Sequence, residues 1–71
     1  MRINFDKKAD AVYIRFSEEK YFESDEIREG FIVDYDNKGR IIGIEILDVS
    51  KNLPVPAAEE VMVTGARALQ A

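Results

Sequence analysis

The chain has 71 residues, with 10 Lys or Arg against 14 Asp or Glu and a formal net charge of −4. That length fits one domain, and a domain this small buries only about 60% of the surface that its unfolded chain exposes. Cysteine and histidine are absent, which excludes disulfides, the usual zinc ligands, and cysteine or histidine catalysis. Packing or self-association must therefore stabilise the domain, and we expect a homodimer.

Apolar and polar residues alternate with a period of two along the first three-quarters of the chain, which predicts half-buried β-strands. Clear strand candidates cover residues 2–5, 11–17, 31–36 and 41–48, and a weaker, mostly acidic candidate covers residues 21–28. The best turn signal is the polar loop of residues 36–40, in which Gly39 suits a left-handed bulge position of a hairpin. Gly43 lies inside a strand candidate and would let an aromatic ring approach the backbone closely.

The pattern changes after residue 48. Pro56 suits the first turn of a helix, and Glu59 and Glu60 would lie near its positive end. Gly65 could end this helix early, and a strand over residues 61–64 is the open alternative. The predicted fold class is α+β: an antiparallel β-meander of four to five strands over residues 1–53, with a C-terminal helix or tail over residues 54–71 in the same single domain. The predicted core contains Ile3, Phe5, Val12, Ile14, Phe31, Val33, Ile42, Ile44, Ile46 and Leu47.

The negative charge is concentrated between residues 18 and 29, a segment with six acidic and two basic residues. The rest of the chain contains eight acidic and eight basic residues. One interpretation is an edge strand whose charges prevent sheets from pairing edge to edge. The other is a surface that docks a basic partner, since complementary charge speeds encounter. The candidate partner-binding residues are Glu23, Asp25, Glu26 and Glu29.

Carboxylates are the remaining source of chemistry. Asp34 and Asp36 share one face of a predicted strand, and such a pair could hold a divalent cation or raise one carboxyl pKa for acid–base work. The favoured interpretation is plainer: Asp36 starts a turn and Asp34 is solvated. The sequence therefore predicts no catalytic residue, no metal site and no cofactor, and an enzymatic role is disfavoured.

Two further classes are disfavoured. The chain lacks the clustered basic residues that contact a nucleic-acid backbone, so we expect no direct nucleic-acid binding. It also lacks an apolar run long enough to span a membrane and a signal-peptide pattern at its start. The expected location is the cytoplasm.

Two segments carry a resemblance to a known family. The run FDKKADAVYIR over residues 5–15 is similar to the "YDxxADALYI" opening of the family called domain of unknown function 2283, with Phe5 where Tyr is usual. The runs GFIVDYD over residues 30–36 and GRIIGIEILD over residues 39–48 resemble its second signature. The resemblance spans about residues 1–53. It implies a compact β-rich domain without an established activity. Members of the family are often encoded beside small toxin-like proteins.

The function itself does not follow from the sequence. The leading hypothesis is a small protein-interaction module, antitoxin-like in the light of the resemblance, that docks a small basic protein through an acidic edge strand. The alternative is a self-associating structural domain or a small-ligand binder with no catalytic activity.

Overall fold

The described residues form five strands and two helices. The computed structural model describes residues 1–70, with side chains through residue 65; residue 71 of the predicted C-terminal segment lies outside them. The elements are β1 (Arg2–Asp6), β2 (Ala11–Arg15), β3 (Glu23–Arg28), β4 (Phe31–Tyr35), β5 (Ile41–Ile46), α1 (Val49–Asn52) and α2 (Val55–Gln70). The α+β class, with antiparallel strands followed by a C-terminal helix, is confirmed.

The strands form one antiparallel sheet in the order β1-β2-β5-β4-β3. The strands β3, β4 and β5 form a meander, and β1 with β2 forms a hairpin, as the sequence predicts for neighbours. The sheet is not one uninterrupted meander, because β2 pairs with β5 and not with β3. The β2–β3 connection therefore crosses the end of the sheet. As a result, β3 lies at an edge of the sheet.

The turns use residues that tolerate a positive φ. Gly30 links β3 to β4 at φ 86°, and Gly39 lies in the β4–β5 hairpin at φ 77°, in the left-handed region that favours glycine. The Gly39 N–H donates to the carbonyl of Asp36 over 3.1 Å. The predicted left-handed position in this hairpin is thus confirmed at Gly39.

One face of the sheet builds the core. Val12 lies opposite both Phe5 of β1 and Ile46 of β5, so apolar side chains line up across three strands. They pack with Val49 of α1 and Ala58 of α2, both buried. Of the predicted core residues, Val12, Val33, Ile42 and Ile46 are buried, and Ile3, Phe5, Ile14, Phe31 and Ile44 are partly buried against the cluster.

Leu47 is the exception among the predicted core residues. It is only half-buried and does not belong to the cluster around Val12. It follows Ile46, which faces the core, and the alternation of side chains along a strand directs the next residue away from that face. The helical residues Val49 and Ala58 contribute to the core in its place.

The helix α2 packs on its own sheet, mainly against β1. It runs through Gly65, so this glycine does not end the helix, and the alternative strand over residues 61–64 does not form. A Cβ at Gly65 would lie 2.6 Å from the Cβ and 2.9 Å from the backbone nitrogen of Phe5. Glycine at position 65 therefore lets the helix approach the backbone of β1.

This contact predicts an unusual effect of Gly65→Ala. Alanine normally favours a helix interior over glycine by about 1 kcal/mol, but here its methyl group would overlap β1 backbone that cannot move aside easily. Overpacking of this kind costs about 1–3 kcal/mol, so we expect a lower free energy of unfolding in urea. Thr64→Ala at the neighbouring exposed position is the control, with an unchanged or slightly raised value. A stabilised Gly65→Ala variant would contradict this packing.

Candidate functional site

The strand β3 carries the predicted partner-binding acids and is an edge strand of the sheet. All six of its residues are exposed. Glu23, Asp25 and Glu26 lie on β3, and Glu29 lies exposed in the turn that follows. The structure thus brings the four acids together along one edge of the sheet; whether they bind a partner stays a prediction.

The acids point to both sides of this edge. Glu23 and Asp25 lie opposite Tyr35 and Val33 of β4, on the core side of the sheet, whereas Glu26 lies opposite Ile32 on the other side. The Oε2 atom of Glu26 also accepts a weak hydrogen bond from the Gly30 N–H at 3.4 Å. A partner at this edge would therefore meet negative charge above and below the plane of the sheet.

Exposed apolar side chains flank these acids, which the sequence interpretation did not anticipate. Tyr21, Phe22 and Ile27 are the large apolar residues of this strand candidate, and such residues usually anchor a strand to the core. In the structure their exposed fractions are 51%, 62% and 56%. The register of β3 on β4 shifts between Glu26 and Arg28, and this bulge leaves Ile27 without a residue opposite it. Bulges commonly redirect a side chain in this way.

A polar network on the face of the sheet away from α2 holds the connection that leads into β3. The Tyr13 hydroxyl donates to Oδ2 of Asp34 over 2.7 Å, and Nη1 of Arg15 donates to that hydroxyl over 3.2 Å. Arg15 also donates to the carbonyls of Ser17 and Glu19, each over 2.6 Å. One guanidinium therefore ties the β2–β3 connection to the sheet.

Gly43 makes room for this network. A Cβ at position 43 would lie 2.6 Å from the Tyr13 hydroxyl oxygen, so the ring crosses directly over the glycine. The predicted close approach of an aromatic ring at Gly43 is confirmed. Partial burial, and then the hydrogen bond to Asp34, raise the pKa of Tyr13 above its usual value.

Asp36 is a buried carboxylate with a full set of partners. It is 3% exposed, and its Oδ1 accepts the N–H groups of Lys38 and Arg40, each over 2.9 Å. Its Oδ2 accepts Nε of Arg40 over 2.8 Å. The Arg40 N–H above all, helped by the Arg40 guanidinium and the Lys38 N–H, lowers the pKa of this carboxyl despite its burial. The predicted turn role of Asp36 is what the structure shows.

The pair of Asp34 and Asp36 is thus engaged with other partners. Asp34 binds Tyr13 on the open face, and Asp36 binds the hairpin backbone. In the part of the chain that the structure describes, no three carboxylates converge as a metal site would require. The cation hypothesis for these two aspartates has no support in this geometry.

A shallow hollow of about 690 Å³ lies beside the β1–β2 turn and opens to solvent. It is lined by residues of β1, of β2 and of the turn between them, and by Glu45 and Leu47. It is separate from the acidic edge.

Sequence comparison supplies the family. The model of a protein family described as "Protein of unknown function (DUF2283)" matches residues 2–50, more than half of the chain. The chain belongs to the DUF2283 family. The resemblance in the two signature segments is thereby confirmed, and the family's description assigns no function. The DUF2283 region includes all five strands and ends within α1, so α2 lies outside it.

No curated protein and no solved structure gives a significant match to this DUF2283 chain. Within residues 1–70, no helix is long and apolar enough to cross a bilayer.

The lowered pKa of Asp36 predicts how stability depends on pH. A carboxyl whose folded-state pKa lies below its unfolded value of about 4 stabilises the fold above that value and loses this contribution as the pH falls through the folded-state pKa. We therefore expect Asp36→Asn to lower the free energy of unfolding at pH 7, and the difference from wild type to shrink in acid. Urea unfolding between pH 7 and pH 2.5 measures this difference.

The control for this prediction is Glu60→Gln on the exposed side of α2, which removes the same charge outside the hairpin. Its effect should be small throughout. A deficit of Asp36→Asn that is constant across the pH range would show that shape, and not the ionised carboxylate, matters at position 36.

Proposed function

We propose that this domain is a protein-interaction module that docks a basic partner through β3. The observation that carries the proposal is the combination at this edge: four acids and three large apolar side chains, all exposed, on and beside one edge strand. Acidic residues alone would serve to keep a sheet edge soluble. Exposed aromatic and aliphatic residues work against solubility and are the usual anchors of a protein interface.

The electrostatics favour a basic partner. The chain has a net charge of −4, and the segment that contains β3 accounts for all of it. Negative potential along an exposed edge speeds encounter with a positively charged surface and suppresses wrong partners. The apolar side chains of Tyr21, Phe22 and Ile27 would then contribute most of the affinity once the surfaces meet.

An antitoxin-like role is the most specific form of this proposal. Two observations support it. Members of the DUF2283 family, which the chain resembles in its two signature segments, are often encoded beside small toxin-like proteins. The exposed acidic strand also fits, since antitoxins commonly cover a basic toxin surface. Neutralisation would require that growth arrested by the partner resumes when this domain is co-expressed. Binding without such rescue would restrict the proposal to an interaction module.

Small-ligand binding is a second candidate, favoured only by the hollow beside the β1–β2 turn. Its volume of about 690 Å³ lies in the range of ligand sites. Ligand pockets, however, usually enclose most of the ligand surface, and this hollow is shallow. We therefore rank it below the acidic edge. A homodimer, the predicted assembly, would have to use another surface, since β3 would place its acids against one another.

The test is capture of partners by the tagged domain from extract of its source organism, compared with two variants of equal charge change. Glu23→Lys with Asp25→Lys reverses two acids on β3 and leaves Glu26, which contacts the Gly30 turn. Glu59→Lys with Glu60→Lys reverses two exposed acids on α2. We expect a small basic protein bound in near-equal amount by the wild type and the α2 variant, and at least about tenfold weaker by the β3 variant.

High salt should weaken capture of the same partner, because the distance over which exposed charges interact falls from about 10 Å at 0.1 M to about 3 Å at 1 M ionic strength. Equal binding of one partner by the wild type and the β3 variant would refute docking through these acids. Recovery of the domain alone, as a dimer, would shift the assignment to the self-associating alternative.

A further inference from the structure

The hydrogen-bond pattern of β4 determines which backbone groups of β3 are free. The Leu47 N–H donates to the Gly30 carbonyl over 2.8 Å, and these two residues lie one position beyond the pair Phe31 and Ile46, which ends the β4–β5 register. Along an antiparallel strand, successive peptide groups point to alternate sides. The peptide groups of Ile32 and Asp34 therefore also face β5, and those of the intervening β4 residues face β3.

The same alternation continues into β3. Asp25 lies opposite Val33, one of the β4 residues whose peptide groups face β3, and Glu23 lies two residues before it. Glu23 and Asp25 therefore form the backbone ladder with β4. Ser24 and Glu26 alternate with them, so their N–H and C=O groups point away from the sheet into solvent.

We propose that β3 binds its partner by strand addition, in which an extended basic segment of the partner pairs with the outward peptide groups of Ser24 and Glu26. This inference rests on the proposed docking function and specifies how the partner is held. The added strand would place its side chains alternately above and below the sheet. Basic residues on either side of it would then meet Glu23 and Asp25 on one face and Glu26 on the other.

A second copy of this chain is a poor occupant of the edge. Two β3 strands paired with each other would bring Glu23, Asp25 and Glu26 of one copy against the same acids of the other. Like charges directly opposite in a sheet are destabilising, whereas opposite charges stabilise a cross-strand pair. Charge complementarity therefore selects a basic strand from a different protein.

The apolar residues place limits on where that strand lies. Phe22 precedes β3, and its N–H donates to the carbonyl of Tyr35 over 2.8 Å, so its backbone is held against β4. Ile27 occupies the bulge near the other end. An added strand that spans Ser24 to Glu26 would have an exposed apolar side chain near each end, where the partner's own apolar residues could pack.

The probe for this inference is a synthetic peptide of about eight residues, a common strand length, that repeats Lys-Lys-Val-Val, so that lysines lie on both faces of the added strand. The control peptide has the same sequence with its central residues N-methylated, which keeps the charge but removes the N–H donors on both edges. Amide hydrogen exchange, followed by NMR, reports on each β3 residue. In the free protein we expect slow exchange at Glu23 and Asp25 and fast exchange at Ser24 and Glu26.

Saturation with the lysine–valine peptide should slow exchange at Ser24 and Glu26, and the N-methylated peptide should not. Ser24→Pro provides an independent readout, because proline is tolerated on an edge strand where the missing N–H would face solvent. We expect it to weaken peptide binding at least about tenfold, and Ser24→Ala, which keeps the N–H, to bind within about twofold of wild type. Should Ser24→Pro fail to fold, the exchange experiment on the wild type still decides the question.

Several results would overturn strand addition. They are unchanged exchange at Ser24 and Glu26 at saturation, equal binding of the N-methylated peptide, equal binding by Ser24→Pro, or no binding of the peptide. Slow exchange at Ser24 and Glu26 in a dimeric free protein would assign the edge to a second copy. The proposed docking function fails separately, if Glu23→Lys with Asp25→Lys leaves capture of the protein partner unchanged.

Discussion

The fold depends on β5 pairing with strands on both of its sides. Ile42, Ile44 and Ile46 direct their side chains to the core face, where Ile44 lies opposite Ile14 of β2 and Val33 of β4. A strand with apolar neighbours on both sides is the natural centre of a small sheet. Its pairing with β2 joins segments about 30 residues apart in the chain. Such non-local contacts form only after the intervening chain has closed into a loop, which costs conformational entropy. The insertion of β5 between β2 and β4 also leaves β3 at the edge.

The two faces of the sheet make different contacts. On the core face, α2 packs over β1, where Gly65 approaches the backbone of Phe5, so this edge strand is covered on one side by a helix. On the other face, Arg15 connects Tyr13 to the carbonyls of Ser17 and Glu19. Because the residues after Ser17 lead directly into β3, this network anchors the start of the exposed edge strand to the centre of the sheet. An edge strand anchored in this way would lose less conformational entropy on binding a partner.

The parts of this structure that follow from local chemistry could be predicted from the sequence. Alternation predicts the strands that contain Phe5 and Val12, and a polar loop with Gly39 predicts the hairpin. The order of strands could not be predicted, because the period of a strand says which face a residue occupies and not which strand lies beside it. Val49 and Ala58 join the core through a helical turn and a helix whose positions on the sheet depend on that order.

Only part of the candidate site could be predicted, because the rest depends on the order of the strands. Negative charge between residues 18 and 29 is visible in the sequence and identifies the acids of β3. The exposure of Phe22 and Ile27 is not visible, since apolar residues in a strand candidate are expected to anchor it. They are exposed because β3 lies at the edge, beyond the main contact area of α2, and because a bulge leaves Ile27 unpaired with β4.

The two edge strands of the sheet differ in the exposure of their apolar side chains. This difference distinguishes an edge that is only protected against self-pairing from one that could dock a partner. At β1, Arg2 forms an exposed ion pair with Glu18 over 3.1 Å, and Phe5 packs into the core beneath α2. At β3, the acids share the edge with Phe22 and Ile27, which are more than half exposed. Charge on an edge strand prevents self-pairing, but it does not require apolar groups beside it, and these groups lower solubility. Their presence is explained if β3 excludes acidic strands, including its own copies, and remains available to a basic one.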